Sequence, residues 1–162
     1  MTESRSPDGT PPPHVLIVEA RYYTDICDEL AGGAIAALEA EGATYERIEV
    51  PGAFEVPTAI AIVIRSLDFY AGHRRYDGYV ALGCVIRGET SHYDYVCGES
   101  ARKLQDLAAD HALALGYGIL TCENAEQAWA RAARDKKDKG GEAARACLRM
   151  LDVKRRFHLY PR

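Results

Sequence analysis

A chain of 162 residues, 48% hydrophobic and 27% charged, is long enough for one domain to bury a core without disulfides or a structural metal. Its net charge of −4 argues against general nucleic-acid or anionic-membrane binding, and no apolar run reaches bilayer-spanning length. The five cysteines, Cys27, Cys84, Cys97, Cys122 and Cys147, are odd in number and form no CxxC pair. They are expected to be reduced core thiols of a cytoplasmic protein.

Residues 1–13 are polar and end in three prolines, so a disordered or extended tail is expected there, with no apolar stretch of the kind a secretory signal needs. HVLIVEA (14–20) reads as a buried strand. Ile26, Leu30, Ala34 and Leu38 then repeat every four residues and predict a helix that Gly42 stops; Gly32 and Gly33 inside it suggest close packing. TYERIEV (44–50) is a second strand. PGAFEVP interrupts it, and Pro57 suits the first turn of a helix running to Tyr70. YVALGCVI (79–86) is the strongest strand signal. The segment after RGETSHYDYV predicts a long helix to Leu115, followed by a strand at GILTC (118–122). Two more helices are expected over Glu126–Arg134 and Glu142–Leu151, separated by the polar break KKDKGG. Strands alternating with helices predict an α/β fold. The expected form is a three-layer αβα sandwich with a four-stranded, mostly parallel sheet, one domain over 14–157 and a short tail at 158–162. In such folds ligands bind where loops leave the carboxyl ends of the strands.

Those loops hold the candidate chemistry. His92, in RGETSH, is suited to proton exchange near neutral pH. Gly88 and Thr90 precede a helix start, whose free N–H groups suit an anion. Arg131 and Arg134 offer bidentate guanidinium groups. Phe54 and Glu55 sit on a kinked segment, and Tyr22 and Tyr23 follow the first strand, where two roles are open to either ring: stacking on a flat ligand or capping the sheet edge. Lys136, Lys137 and Lys139 form a short basic run. No pair of histidines and no Cys/His cluster has metal-ligand spacing, and GxGxxG and P-loop patterns are absent, so neither a metal nor a nucleotide cofactor is expected.

PGAFEVP (51–57), ALGCVIRGETSHYDYV (81–96), GILTCENAEQA (118–128) and DKGGEAA (138–144), in this order and spacing, resemble the 6,7-dimethyl-8-ribityllumazine synthases. The resemblance implies a flavodoxin-like fold and a cofactor-free transferase of riboflavin biosynthesis. That enzyme condenses 5-amino-6-(D-ribitylamino)uracil with 3,4-dihydroxy-2-butanone 4-phosphate. By resemblance, His92 transfers protons and Arg131 holds the phosphate, with Gly88, Glu89 and Thr90 forming the turn around it. Tyr22 stacks on the pyrimidine. Ala53, Phe54 and Glu55 hold the pyrimidine and ribityl chain, and Val85 and Ile86 line the ring pocket. Lys139 approaches the ribityl hydroxyls, and Tyr117 comes from a neighbouring subunit. Arg131 is expected on the same pocket wall as His92, with the chain that supplies each group left open. The family assembles as pentamers with sites at subunit interfaces. The PPP tail and the ARDKKDKGG turn depart from shell-forming members, so a homopentamer or two paired pentamers is expected rather than a 60-subunit shell. Two alternatives remain at this point: a non-catalytic flavin- or lumazine-binding paralogue, or a generic phosphosugar enzyme.

Overall fold

The computed structural model describes residues 9–69 and 76–159; expectations for the first eight residues, for Tyr70, Gly72 and His73, and for the last three residues lie outside that range. β1 (His14–Ala20) is almost wholly buried, as its unbroken apolar run requires. α1 (Thr24–Ala40) follows and ends where Gly42 adopts a positive φ of 72°, the left-handed conformation that glycine takes without a Cβ penalty. β2 (Thr44–Val50) leads into a 3-10 turn (Ala53–Glu55) and α2 (Val56–Ser66), with Pro57 in the first helical turn. β3 (Gly78–Ile86), α3 (His92–Asp110), β4 (Ala114–Cys122), α4 (Ala125–Ala132) and α5 (Lys139–Arg156) complete the described elements.

The strands are all parallel and lie in the order β2-β1-β3-β4. Alternate residues of the central strands face opposite cores. Val15, Ile17, Val80 and Leu82 pack against Leu30 and Leu38 of α1, Ala128 and Ala132 of α4, and Cys147 and Leu151 of α5. Leu16, Val18, Tyr79 and Ala81 pack against Val56 and Ile60 of α2 and Leu104 and Leu107 of α3. This is the three-layer flavodoxin-like sandwich expected, with α1, α4 and α5 on one face and α2 and α3 on the other.

Several boundaries differ from the sequence reading. α3 stops at Asp110 rather than Leu115 and β4 begins at Ala114 rather than 118. Between them Ala112 takes a positive φ of 50°, so a chain reversal occurs with no glycine to announce it. α2 ends at Ser66, after which Leu67, Asp68 and Phe69 donate to the carbonyls three residues earlier, the tighter winding common at helix ends. α5 begins inside the supposed polar break. Asp138 caps it by accepting from the Gly141 N–H at 3.3 Å, which satisfies one of the first-turn donors.

The glycines there are packing positions. A Cβ on Gly140 would lie 2.0 Å from the Leu30 carbonyl oxygen, and one on Gly116 would lie 1.9 Å from that of Ala143. Their absence lets α5 close onto α1 and β4. Among the described residues, no helix is long and apolar enough to cross a membrane.

Candidate active site

Three loop segments converge at the carboxyl ends of β1, β2 and β3. They enclose a cleft of about 440 Å³ lined by Tyr22, Ala53, Phe54, Glu55, Val85, Ile86, Gly88, Thr90 and His92. Tyr22 is 75% exposed and meets Tyr23 edge-on, with ring centroids 4.9 Å apart. Phe54 is 57% exposed, so it presents its ring to the cleft and does not pack in the core. Ala53 is buried beneath it. The 3-10 turn holds this segment in place, the Glu55 N–H donating to the Gly52 carbonyl at 3.1 Å.

His92 is the first residue of α3, not a mid-loop residue. Its backbone N–H donates to Thr90 Oγ1 at 3.3 Å. No side chain caps this helix, and the first turn of an α-helix leaves backbone N–H groups without partners inside the helix. Gly88 has open space where a Cβ would be. The cleft therefore joins an aromatic wall, a carboxylate, an imidazole and a helix N-terminus suited to an anion. Glu89 is exposed and is not among the lining residues.

Four further lining residues were not singled out as ligands from the sequence: Gly52, Cys84, Tyr93 and Val96. Burial and the adjacent Cys122 thiol push the Cys84 thiol up to about 12. It is thus a protonated apolar wall, not a nucleophile. Burial also raises the Tyr93 phenol. Tyr93 had a positional signal, since it follows His92 at a helix start; Cys84 looks like any core thiol in a strand.

Arg131, Lys139 and Tyr117 lie elsewhere. They line a second depression of about 340 Å³ beside β4, with Thr121 and Glu142. Within one chain, Arg131 and His92 therefore line separate depressions. α4 packs on the α1 and α5 face of the sheet, whereas α3 packs on the opposite face. Arg131 Nη1 donates to the Gln127 carbonyl at 3.0 Å, and Lys139 Nζ pairs with Glu142 at 2.7 Å. Among the described residues, no group of three or more His, Cys, Asp or Glu side chains is arranged to hold a metal ion.

The sequence profile described as 6,7-dimethyl-8-ribityllumazine synthase matches residues 12–155. The chain belongs to this family. It is 59% identical over 146 residues to 6,7-dimethyl-8-ribityllumazine synthase 1 of Rhizobium meliloti, covering 90% of this chain and 94% of that protein. It is 57% identical over 145 residues to 6,7-dimethyl-8-ribityllumazine synthase of Agrobacterium fabrum, covering 90% and 97%. The protein of the same name from Bartonella henselae is 54% identical over 144 residues, covering 89% and 90%. The lumazine synthase relationship thus spans nearly the whole chain and favours an enzyme over the binding-paralogue and phosphosugar alternatives.

Proposed function

We propose that the cleft around His92 is half of a lumazine synthase active site, and that the depression around Arg131 of a neighbouring copy completes it. The reaction is the family's. 5-Amino-6-(D-ribitylamino)uracil and 3,4-dihydroxy-2-butanone 4-phosphate give 6,7-dimethyl-8-ribityllumazine, phosphate and two waters. The observation that carries the composite site is the split itself: groups that the family resemblance assigns to one pair of substrates lie in separate depressions on opposite helical layers of one chain.

Tyr22 stacks on the uracil ring, with Ala53, Phe54, Val85 and Ile86 closing around it. Glu55 accepts hydrogen bonds from the ribityl hydroxyls, and Lys139 of the neighbouring copy approaches the same chain. Tyr117 of that copy adds a second aromatic surface. Gly88 and Thr90, with the N-terminus of α3, cradle the phosphate; Glu89 contributes its backbone to the turn. Arg131 of the neighbouring copy grips the phosphate in bidentate fashion.

The uracil amine attacks the ketone, and the carbinolamine loses water to give an imine. Loss of a carbon-bound proton then sets up elimination of phosphate. The resulting enol tautomerises, the ribityl-bearing nitrogen closes the ring on the new carbonyl, and the second water leaves. His92 moves the protons in these steps. Arg131 stabilises the departing phosphate, and holding both substrates in register supplies much of the rate. No step calls for a metal or a nucleotide cofactor.

The assembly is a homopentamer, or two paired pentamers, of domains spanning 14–157. The five free cysteines support a cytoplasmic location.

Subunit mixing tests the composite site. Chains carrying His92→Ala and chains carrying Arg131→Gln are unfolded together and reassembled. In a ring, about one quarter of the interfaces then join an intact His92 cleft to an intact Arg131, the product of two independent halves. Activity of the mixed rings above the mean of the two separately assembled variants supports the reading. Activity equal to that mean refutes it.

A further inference from the structure

The turn assigned to the phosphate has few bonds of its own. Between Arg87 and His92, the His92 N–H to Thr90 Oγ1 bond of 3.3 Å is a local tie, and Gly88 touches nothing where a side chain would be. The turn is held from its ends, and Arg87 grips both. The Arg87 N–H donates to the Cys122 carbonyl at 2.9 Å, extending the β3–β4 ladder. Its Nε donates to Glu123 Oε2 at 2.8 Å, just past β4, and its Nη1 to Asp94 Oδ1 at 3.2 Å, in the first turn of α3. The guanidinium carbon sits 4.3 Å from the centroid of the Tyr93 ring.

We infer that Arg87, anchored by Glu123, is a positioning residue for the phosphorylated substrate: it sets the phosphate turn and the start of the helix that bears His92. This deepens the proposed function and rests on reading the turn as the phosphate cradle. Arg87 does not line the cleft, and its guanidinium already faces two carboxylates and a ring, so it acts through the turn and does not bind the substrate. Glu123 extends the connection. Its N–H donates to Gln127 Oε1 at 2.9 Å, and the Gln127 carbonyl accepts from Arg131 at 3.0 Å. One hydrogen-bonded path thus joins the turn to the arginine that serves the other depression. The Arg87 side chain is 39% exposed, and exposed ion pairs contribute little to global stability. The effect of losing it should therefore fall on geometry.

The test is steady-state kinetics of the assembled protein with both substrates, for Arg87→Gln, Arg87→Lys and Glu123→Gln. For Arg87→Gln, the KM for the butanone phosphate should rise about tenfold or more, the cost of a misaligned binding loop, while the KM for the aminouracil stays within about twofold. Arg87→Lys keeps the charge but loses the planar fork, so it should resemble Arg87→Gln. Glu123→Gln should raise the same KM by about threefold, the scale of one exposed pair.

A direct phosphate ligand would behave with the opposite sign. Removing Glu123 would free its charge and lower that KM, and lysine would rescue; either result overturns the proposal. Glu123 is exposed, so its variant keeps the test alive if the Arg87 variants misfold. Inorganic phosphate serves as a probe of the premise. If it fails to compete with the butanone phosphate in the unaltered protein, the cradle reading falls, and this proposal with it. If it competes, and the Arg87 variants change neither its inhibition constant nor the KM, the positioning role alone falls.

Discussion

Replacing Glu19 by alanine should be among the most damaging changes available outside the active-site cleft. Glu19 is the penultimate residue of β1 and is 2% exposed. Arg47 on β2 grips it with two hydrogen bonds, of 2.7 and 2.9 Å, and Arg21 adds a third of 3.0 Å. Arg21 is further tied to Asp28 of α1 and to Glu49. The carboxylate therefore pins the open edge of the sheet and the start of α1 to the central strand. Breaking a buried ion pair from one side costs about 3–5 kcal/mol, because the remaining charge is stranded.

Two features reduce that figure here. The Arg47 side chain is 42% exposed and can turn to water, and Arg21 keeps its other two carboxylates. A loss of about 2–4 kcal/mol is expected on these grounds. For a chain of this size that corresponds to a fall in Tm of about 4–16 °C. The assay is urea and thermal unfolding at one fixed protomer concentration, because the stability of any protein that associates depends on concentration. Asp106→Asn supplies the contrast, since it breaks only the exposed Arg102–Asp106 pair and should leave the midpoint nearly unmoved. A Glu19→Ala loss below about 1 kcal/mol, within the range of surface pairs, would refute the claim that this buried carboxylate organises the edge.

Other outcomes follow from the same coordinates. Gly140→Ala forces its Cβ onto the Leu30 backbone, so α1 and α5 must separate at a cost of about 1–3 kcal/mol; an unchanged unfolding midpoint would contradict the packing argument. His92→Ala should lower kcat modestly and remove the pH dependence of kcat/KM, since positioning survives the loss of the proton-transfer group; an unaltered pH profile would remove that role from His92. Burial raises the Cys147 thiol from its ordinary 9.0 to about 12. Between these values the unfolded chain has already lost its proton while the folded chain keeps it, so stability falls as pH rises. Cys147→Ala should make that alkaline decline shallower, as read by urea unfolding at several pH values; an identical slope would count against a deeply buried thiol.

The strands and the cleft were legible because their signals are local. β1 and β3 are continuous apolar runs, and His92, Gly88 and Thr90 sit within one short segment that a single loop presents. The α3–β4 boundary was not legible. Leu115 continues the helical spacing of Leu104, Leu107, Ala108 and His111, yet Ala112, which carries no turn signal, makes the reversal. KKDKGG reads as a break because it is a polar run; only the approach of Leu30 explains why α5 needs glycine there.

The place of Arg131 within the chain was illegible for a different reason. Its distance along the chain from His92 says nothing about which face of the sheet α4 covers, and that face is set by Ala128 and Ala132 packing into the core shared with α1 and α5. Small residues on a short helix carry little directional signal, so the side of the sheet had to come from tertiary packing. The same fact gives the layout its functional consequence. Each chain offers an imidazole and a stacking face on one side, and a guanidinium and a lysine on the other. A closed ring of copies is the simplest symmetric arrangement in which every such pair meets. If the composite site proposed above forms between copies, dilution that separates them should abolish turnover before it unfolds the individual chain, and turnover that survives separation would refute it.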